Sequence, residues 1–309
     1  MIHINTKVAL SGEYRLVIKR NGEEIDTGWF KNLILNQGLD QLGTNDEVLI
    51  GYARVGTGTT APSVTDTTLE AQVAASTSGP DDITILNSGA PNYTTLSTFE
   101  YTFTQGDVTG NISEVGVGWA TTGATLFSRA LIVDGLGTPT TITLTSIDQL
   151  TIYYRLNASQ PLTDTTSAVT ISSVSYPYTI RTAYAASFCG NGTFNYGYGF
   201  TRLNAVTLYG DDAALGAITG QLSGTSIASS GGAGFTFTYP AYTPGSYYRD
   251  STFSVAVGTG NAAGGIGGIQ LTWGQYSTSL RNQIVLPTPI LKTNTQVLTI
   301  TQRFTWARA

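Results

Sequence analysis

Asp26-Thr-Gly28, preceded by Ile25, has the form of the short aspartic-protease signature, in which two carboxylates share one proton and activate water. The tripeptide occurs once, so only a pair of chains would complete the dyad, and it falls where the return strand of a hairpin is expected. Glu100, Asp107 and Glu114 offer the paired carboxylates of a glycosidase, which stand about 5 to 9 Å apart. A solvated strand face explains them better. Gly258-Thr-Gly260-Asn-Ala-Ala-Gly264 imitates a dinucleotide fingerprint, yet a strand pattern follows it instead of a helix. The ribose-binding acid is also missing, because Asp250 is the last carboxylate side chain. The one histidine, His3, lies at the terminus and Cys189 is the one cysteine, so no Ser-His-Asp set, Cys-His pair or cysteine-rich zinc site is expected. Asp81-Asp82 and Asp211-Asp212 fall in turn regions, where turn chemistry accounts for them as well as Ca²⁺ ligation does. The chain is expected to be no enzyme and to hold no cofactor or metal. What remains for recognition is aromatic: Phe194, Tyr196, Tyr198, Tyr242 and Tyr247 offer stacking faces to a glycan or a neighbouring subunit.

The elements that would carry these residues are strands. Only 11% of the 309 residues are charged, and Thr, Ser, Gly, Tyr, Val and Ile dominate. That mix favours pleated strands and tight turns over helices. Tyr14 to Arg20, Asn21-Gly22 and Glu23 to Phe30 read as a hairpin with a type I′ turn. Asn36 to Leu42 reads as one short helix. Further strands are expected at short, regular intervals, among them Thr95 to Thr104, Glu114 to Ala120, Leu126 to Val133, Leu150 to Leu156, Val169 to Ala185, Ile266 to Trp273 and Val297 to Trp306. Such spacing points to antiparallel sandwiches.

The sequence repeats itself at an offset of about 150 residues. Gly110-Asn-Ile through Trp119 aligns with Gly260-Asn-Ala through Trp273, and Leu126-Phe-Ser-Arg129-Ala-Leu-Ile132 with Ser279-Leu-Arg281-Asn-Gln-Ile284. Gln149-Leu-Thr-Ile through Arg155 aligns with Val297-Leu-Thr-Ile through Arg303. The expected fold is therefore all-β, with two tandem antiparallel β-sandwich domains related by internal duplication: residues 1–158, a polar linker at 159–166, and residues 167–309. Trp119 and Trp273, each at the end of an alternating strand, are expected to bury a ring face, and Trp119→Ala to cost about 3 to 5 kcal/mol. The first half to Ala158 carries 8 basic and 16 acidic side chains, and the remainder 7 and 4. So few cations and no basic cluster exclude a nucleic-acid track. Opposite halves and weakly charged strands such as Val297 to Trp306, read as open edges, predict a homo-oligomer or a ring of subunits held by β-augmentation or by sheet-face contacts. The N-terminal residues lack the regions of a secretion signal and no apolar run is long enough to span a bilayer, so synthesis in the cytoplasm without membrane insertion is expected.

Several motifs together resemble one group of proteins. Thr27-Gly-Trp-Phe-Lys-Asn-Leu-Ile34, Asn36-Gln-Gly-Leu-Asp40, Arg54-Val-Gly-Thr-Gly-Thr-Thr-Ala-Pro62 with Thr65-Asp-Thr-Thr-Leu69, Glu114-Val-Gly-Val-Gly-Trp119 and Leu126-Phe-Ser-Arg-Ala-Leu-Ile132 are similar to segments of tail-associated structural proteins of tailed bacteriophages. The resemblance covers residues 14–185 and implies a β-rich virion subunit of fibre, collar or baseplate type, made in the host cytoplasm. Its implied partners are further copies of itself and neighbouring virion proteins. A receptor- or glycan-binding adhesin of the virion, touching a host surface glycan, is the alternative.

Overall fold

The computed structural model describes residues 3–44, 49–77, 81–88, 92–161, 163–184, 202–218, 220–273 and 280–309. Nearly every element is a strand. The first half contains β1 (His3–Arg20), β2 (Glu23–Asp26), β3 (Phe30–Lys31), β4 (Leu33–Ile34), helix α1 (Asn36–Thr44), β5 (Tyr52–Gly56), β6 (Gln72–Ala75), β7 (Asp81–Ser88), β8 (Asn92–Thr102), β9 (Gly110–Ile112), β10 (Glu114–Gly118), β11 (Leu126–Leu131), β12 (Ile142–Leu144) and β13 (Gln149–Pro161). The second contains β14 (Thr165–Ile171), β15 (Val174–Tyr184), β16 (Leu203–Tyr209), β17 (Ser226–Ser229), β18 (Phe235–Thr238), β19 (Tyr248–Val255), β20 (Ile266–Trp273), β21 (Leu280–Ile290) and β22 (Leu298–Arg308).

The expected hairpin forms: Asn21 and Gly22 take φ of 50° and 87° between β1 and β2, the left-handed pair a type I′ turn requires. Helix α1 lies where the sequence placed it.

One nine-stranded sheet runs through both halves in the order β18-β19-β22-β1-β13-β8-β7, with β2 and β3 also on β1. β1 holds it together. One edge pairs antiparallel with β13 from Ala9↔Ser159 to Lys19↔Gln149. The other pairs parallel with β22 from His3↔Thr301 to Leu10↔Arg308, then with β3 and β2. Residues 1–158 and 167–309 are thus joined through a common sheet instead of standing as two separate sandwiches. Most of the expected linker at 159–166 is strand as well, since β13 runs to Pro161 and β14 starts at Thr165. Val297 to Trp306 is no edge: β22 lies between β1 and β19. Val169 to Ala185 is not one strand, because the chain reverses at Ser172-Ser173 into the β14–β15 hairpin.

Alternation decides which face of this sheet is buried. Val8, Leu10, Tyr14, Leu16 and Ile18 of β1 are buried, as are their register partners Trp306, Tyr154, Ile152 and Leu150. Over that face lie a five-stranded sheet, β4-β11-β10-β5-β6, and a six-stranded sheet, β14-β15-β21-β20-β16-β17, with their inner side chains in one continuous core. The orders correspond: β4-β11-β10-β5-β6 to β15-β21-β20-β16-β17, and β13-β8-β7 to β22-β19-β18. Arg155 and Arg303 occupy equivalent strands and make equivalent contacts. Arg155 pairs with Glu13 at 3.3 Å and covers the Trp29 ring at 3.5 Å, whereas Arg303 pairs with Asp250 at 2.8 Å and covers Tyr248 at 3.7 Å.

In the first half, tyrosine hydroxyls bolt the two layers together. Tyr14 reaches Ser128 Oγ at 2.7 Å, Tyr101 donates to the Ile50 carbonyl, and Tyr154 accepts from Asn32 Nδ2 at 3.3 Å. Burial pushes all three phenols up, Tyr154 to about 12. In the second half a ring contact spans the layers: Trp273 of β20 lies 5.2 Å from Phe304 of β22, while its Nε1 donates to Asn282 Oδ1 at 2.7 Å within its own sheet. Trp119 is only partly buried against the core, whereas Trp273 is wholly buried.

Two outcomes are expected. Trp273→Ala should lower unfolding free energy in urea by about 3 to 5 kcal/mol, and Trp119→Ala by less than the sequence alone predicts, because part of its ring is already in water. The raised phenol pKa values mean that the tyrosine contribution is intact below pH of about 10, the ordinary tyrosine value. It is lost as pH rises through the folded-state value, about 12 for Tyr154. Tyrosinate absorbance in an alkaline titration should therefore rise together with loss of near-ultraviolet circular dichroism.

Candidate functional site

The five-stranded sheet is buried on both sides, and its outer side is where the charged residues of the motifs converge. Register places Arg54, Gly116 and Arg129 side by side on β5, β10 and β11, with Glu114 two residues away on the same face. Arg54 and Glu114 are fully buried and Arg129 nearly so. The chain from Thr57 to Ala71 folds over them as a strap.

Glu114 is the anchor. Its Oε1 accepts the N–H groups of Gly58 at 3.1 Å and Ala71 at 2.8 Å, and its Oε2 accepts that of Glu70 at 3.1 Å and Arg129 Nε at 2.9 Å. Both ends of the strap thus close on one carboxylate. A Cβ at Gly56 or Gly58 would collide with Glu114 Oε1, which is why Val-Gly-Thr-Gly stands at this place. Arg129 extends the network to the middle of the strap, meeting Asp66 at 2.5 Å, the Thr60 carbonyl at 3.1 Å and Glu70 at 3.7 Å. Glu70 also accepts the Thr60 N–H and hydroxyl, both at 2.8 Å, and these bonds hold its carboxyl below the usual range. An open depression of about 400 Å³ lies above Arg129, between Thr60 and the Thr65–Glu70 stretch. Leu35, Leu69 and Leu126 form a small apolar cluster of their own.

Arg54 has a different task. It donates to the Ala120, Thr122 and Gly123 carbonyls and to Thr125 Oγ1, gathering the turn between β10 and β11. Removal from water pulls its pKa down to about 10.

The second half builds the same strap from amides. Gln270 and Gln283 pair across β20 and β21, where Gly116 and Arg129 pair across β10 and β11. Gln283 is fully buried; its Oε1 accepts the Gly216 N–H at 2.7 Å and its Nε2 donates to the Ala217 carbonyl at 3.0 Å. Gln270 Oε1 accepts the Leu222 N–H at 2.9 Å. Arg181, paired with Asp164 at 2.6 Å, adds a bond to the Gly216 carbonyl at 2.8 Å.

Between the halves lies a seam made by α1. Asp40 Oδ1 accepts the Tyr242 hydroxyl at 2.7 Å and the Gly245 N–H at 2.6 Å. Trp306 Nε1 donates to the Leu39 carbonyl at 2.8 Å, and its ring stacks on Tyr242 at 5.7 Å. Arg308 donates to the Ile34 carbonyl and, at 2.6 Å, to Asn36 Oδ1. Gln37 Nε2 reaches the Thr67 and Leu126 carbonyls, both at 2.8 Å, tying the seam to the strap.

The residues singled out from sequence disperse in this arrangement. Asp26 accepts both Arg15 nitrogens, the shorter contact at 2.6 Å, and the Gly28 N–H, so it closes a turn, and these bonds lower its pKa. Glu100 sits on β8 in the large sheet, Asp107 accepts the Thr104 N–H in a turn, and Glu114 is enclosed under the strap, so no carboxylate pair forms among them. The Gly258 loop encloses an ammonium: Lys292 Nζ donates to the Ala256 and Thr259 carbonyls at 2.8 and 2.9 Å and to Asn261 Oδ1 at 2.9 Å. Asp212 takes the Thr225 hydroxyl at 2.7 Å. Among the described residues, no group of three His, Cys, Asp or Glu side chains is placed to hold a metal ion. Tyr242 and Tyr247 belong to the seam, Tyr247 N–H lying 3.3 Å from the Tyr242 hydroxyl. Cys189, Phe194, Tyr196 and Tyr198, and the side chains of His3, Asp81 and Asp82, lie outside the described residues. No protein-family model, curated protein or solved structure matches the chain.

Glu114→Gln should lower stability by about 3 kcal/mol or more, since it leaves Arg129 buried with its inner partner neutralised. Glu70→Gln, at an exposed position, should cost far less. Urea denaturation checks both, and limited proteolysis should cut the Thr57–Ala71 strap faster in the first variant only.

Proposed function

We propose that this chain is a structural component of a tailed-bacteriophage virion, of fibre, collar or baseplate type, acting through assembly contacts. The observation that carries the reading is what the motif residues do. Asn36, Gln37, Asp40, Gly56, Gly58, Asp66, Glu114 and Arg129, which carry the resemblance to phage tail-associated proteins, serve the first strap and the seam, and Arg54, also among them, holds the β10–β11 turn. Motif residues committed to internal contacts suit a rigid building block, with surfaces and edges left to meet neighbours. The matching strand orders support a tandem duplication as the origin of the two halves. Partners on this reading are other copies of the chain and adjacent virion proteins, with no direct contact to nucleic acid. Among the described residues, no helix is long and apolar enough to cross a membrane. The adhesin alternative draws little from Tyr242, whose hydroxyl bonds Asp40 and whose ring stacks on Trp306, or from Tyr247, partly buried against the core, and rests on Phe194, Tyr196 and Tyr198.

Immunogold labelling of purified particles with antibodies raised against the chain should decorate the tail or its attachments at fixed positions. Particles free of the chain by labelling and by peptide mass spectrometry would refute the assignment.

A further inference from the structure

Strand edges differ in how well they are protected. β7 begins with Asp81-Asp82 and has a register shift between Asp82 and Thr84. β6 and β17 are four residues long, and the ladders beside them shift at Val55/Gly56 and Leu208/Tyr209. β4 has two residues and β18 four. Charge, bulges and shortness are the usual means of keeping an edge from pairing with another chain. β14 has none of them. Its seven residues, Thr165-Thr-Ser-Ala-Val-Thr-Ile171, include no charge and no proline, and it pairs with β15 in unbroken register up to a two-residue turn. Ser172 and Ser173 hold that turn at φ of 48° and 66°. Five of the seven residues are exposed, Thr165 to Ala168 and Thr170. Asp164, just before the strand, is paired with Arg181 of β15 at 2.6 Å.

We infer that β14 is a homotypic interface: a second copy of this chain adds its own β14 antiparallel to the first, joining two six-stranded sheets across a two-fold axis. Full overlap of the seven residues fixes the axis at Ala168. Thr166 then lies opposite the partner copy's residue 170, and Ser167 opposite its residue 169. Cross-strand Thr–Thr pairing is favourable and no like charges meet, so the strand is complementary to itself. An isologous contact of this kind closes at two copies. The inference stands whether or not the chain is part of a virion.

Sedimentation of the full chain at micromolar concentrations should show a dimer. T166K/T170K places lysine against lysine twice across the axis and should raise the dissociation constant about tenfold or more. T166E/T170K places opposite charges at the same sites and should restore the dimer. In a C189S background, A168C should be bridged to a covalent dimer by a short bis-maleimide, a readout that does not depend on how the lysine variant folds. A wild-type monomer at every concentration, a dimer indifferent to both charge variants, or an unbridged A168C would each overturn the inference. A monomer that acquires a different protein along β14 would overturn it equally.

Discussion

The structure depends on the two edges of one strand. A backbone N–H or C=O left unpaired in a protein interior costs about as much as a lost hydrogen bond, so a long central strand must be matched along both sides. β1 meets this requirement with partners from both halves: β13 along one edge, and β22 followed by β3 and β2 along the other. Removing the second half would strip the His3–Leu10 stretch of β1 of its β22 partner and open the core beside Val8 and Leu10. That coupling explains why the acidic first half and the basic second half behave as parts of one body.

With the large sheet committed on its inner face, the two covering sheets have outer faces of their own to protect. Each is closed by a strap bonded to side chains from the two central strands of that sheet. The first half uses ions and the second amides, and the difference has physical consequences. Glu114 and Arg129 fix the strap strongly, but neutralising one partner leaves the other buried and charged. Gln270 and Gln283 carry no such liability; Gln283 both accepts and donates, which suits a strap offering N–H and C=O groups together, and Gln270 accepts the Leu222 N–H. The Gln270 and Gln283 bonds to the second strap, unlike the Arg181–Asp164 pair beside them, should thus be less sensitive to pH and salt than the Glu114–Arg129 pair of the first.

Local elements were legible in the sequence because local chemistry specifies them. Asn21-Gly22 supplies the positive φ angles of its turn, and Asn36 to Asp40 marks α1. The β14–β15 turn escaped notice because Ser172 and Ser173 lack the Gly or Asn signature of left-handed backbone. The place of β22 beside β1 was hidden for another reason: a period of two residues says which face a strand buries, but not which strand lies next to it. Among site residues, acids were easy to notice and hard to place. A stronger signal was present in Glu114-Val-Gly-Val-Gly and Leu126-Phe-Ser-Arg-Ala-Leu, where single charges interrupt strands otherwise apolar or glycine-rich. Such a charge either faces water or is matched in the interior, and here the matching residues come from a strap more than 40 positions away.

Sharing β1 also accounts for the difference between the halves at their edges. In the first half, the strand that precedes the covering sheet is β1 itself, which enters the large sheet beside β13. The corresponding place beside β22 is already filled by the N-terminal part of the same β1. When the chain begins its second half, β14 therefore has no position in the large sheet, and it turns back on β15 to become the outermost strand of the covering sheet. One extra strand in that sheet, six against five, is the direct result. The displaced strand keeps the uncharged, Thr-rich composition suited to a sheet interior while standing at an edge. An interior sequence at an edge position leaves its outward N–H and C=O groups to water or to a further strand, and that exposure follows from the topology that binds the two halves together.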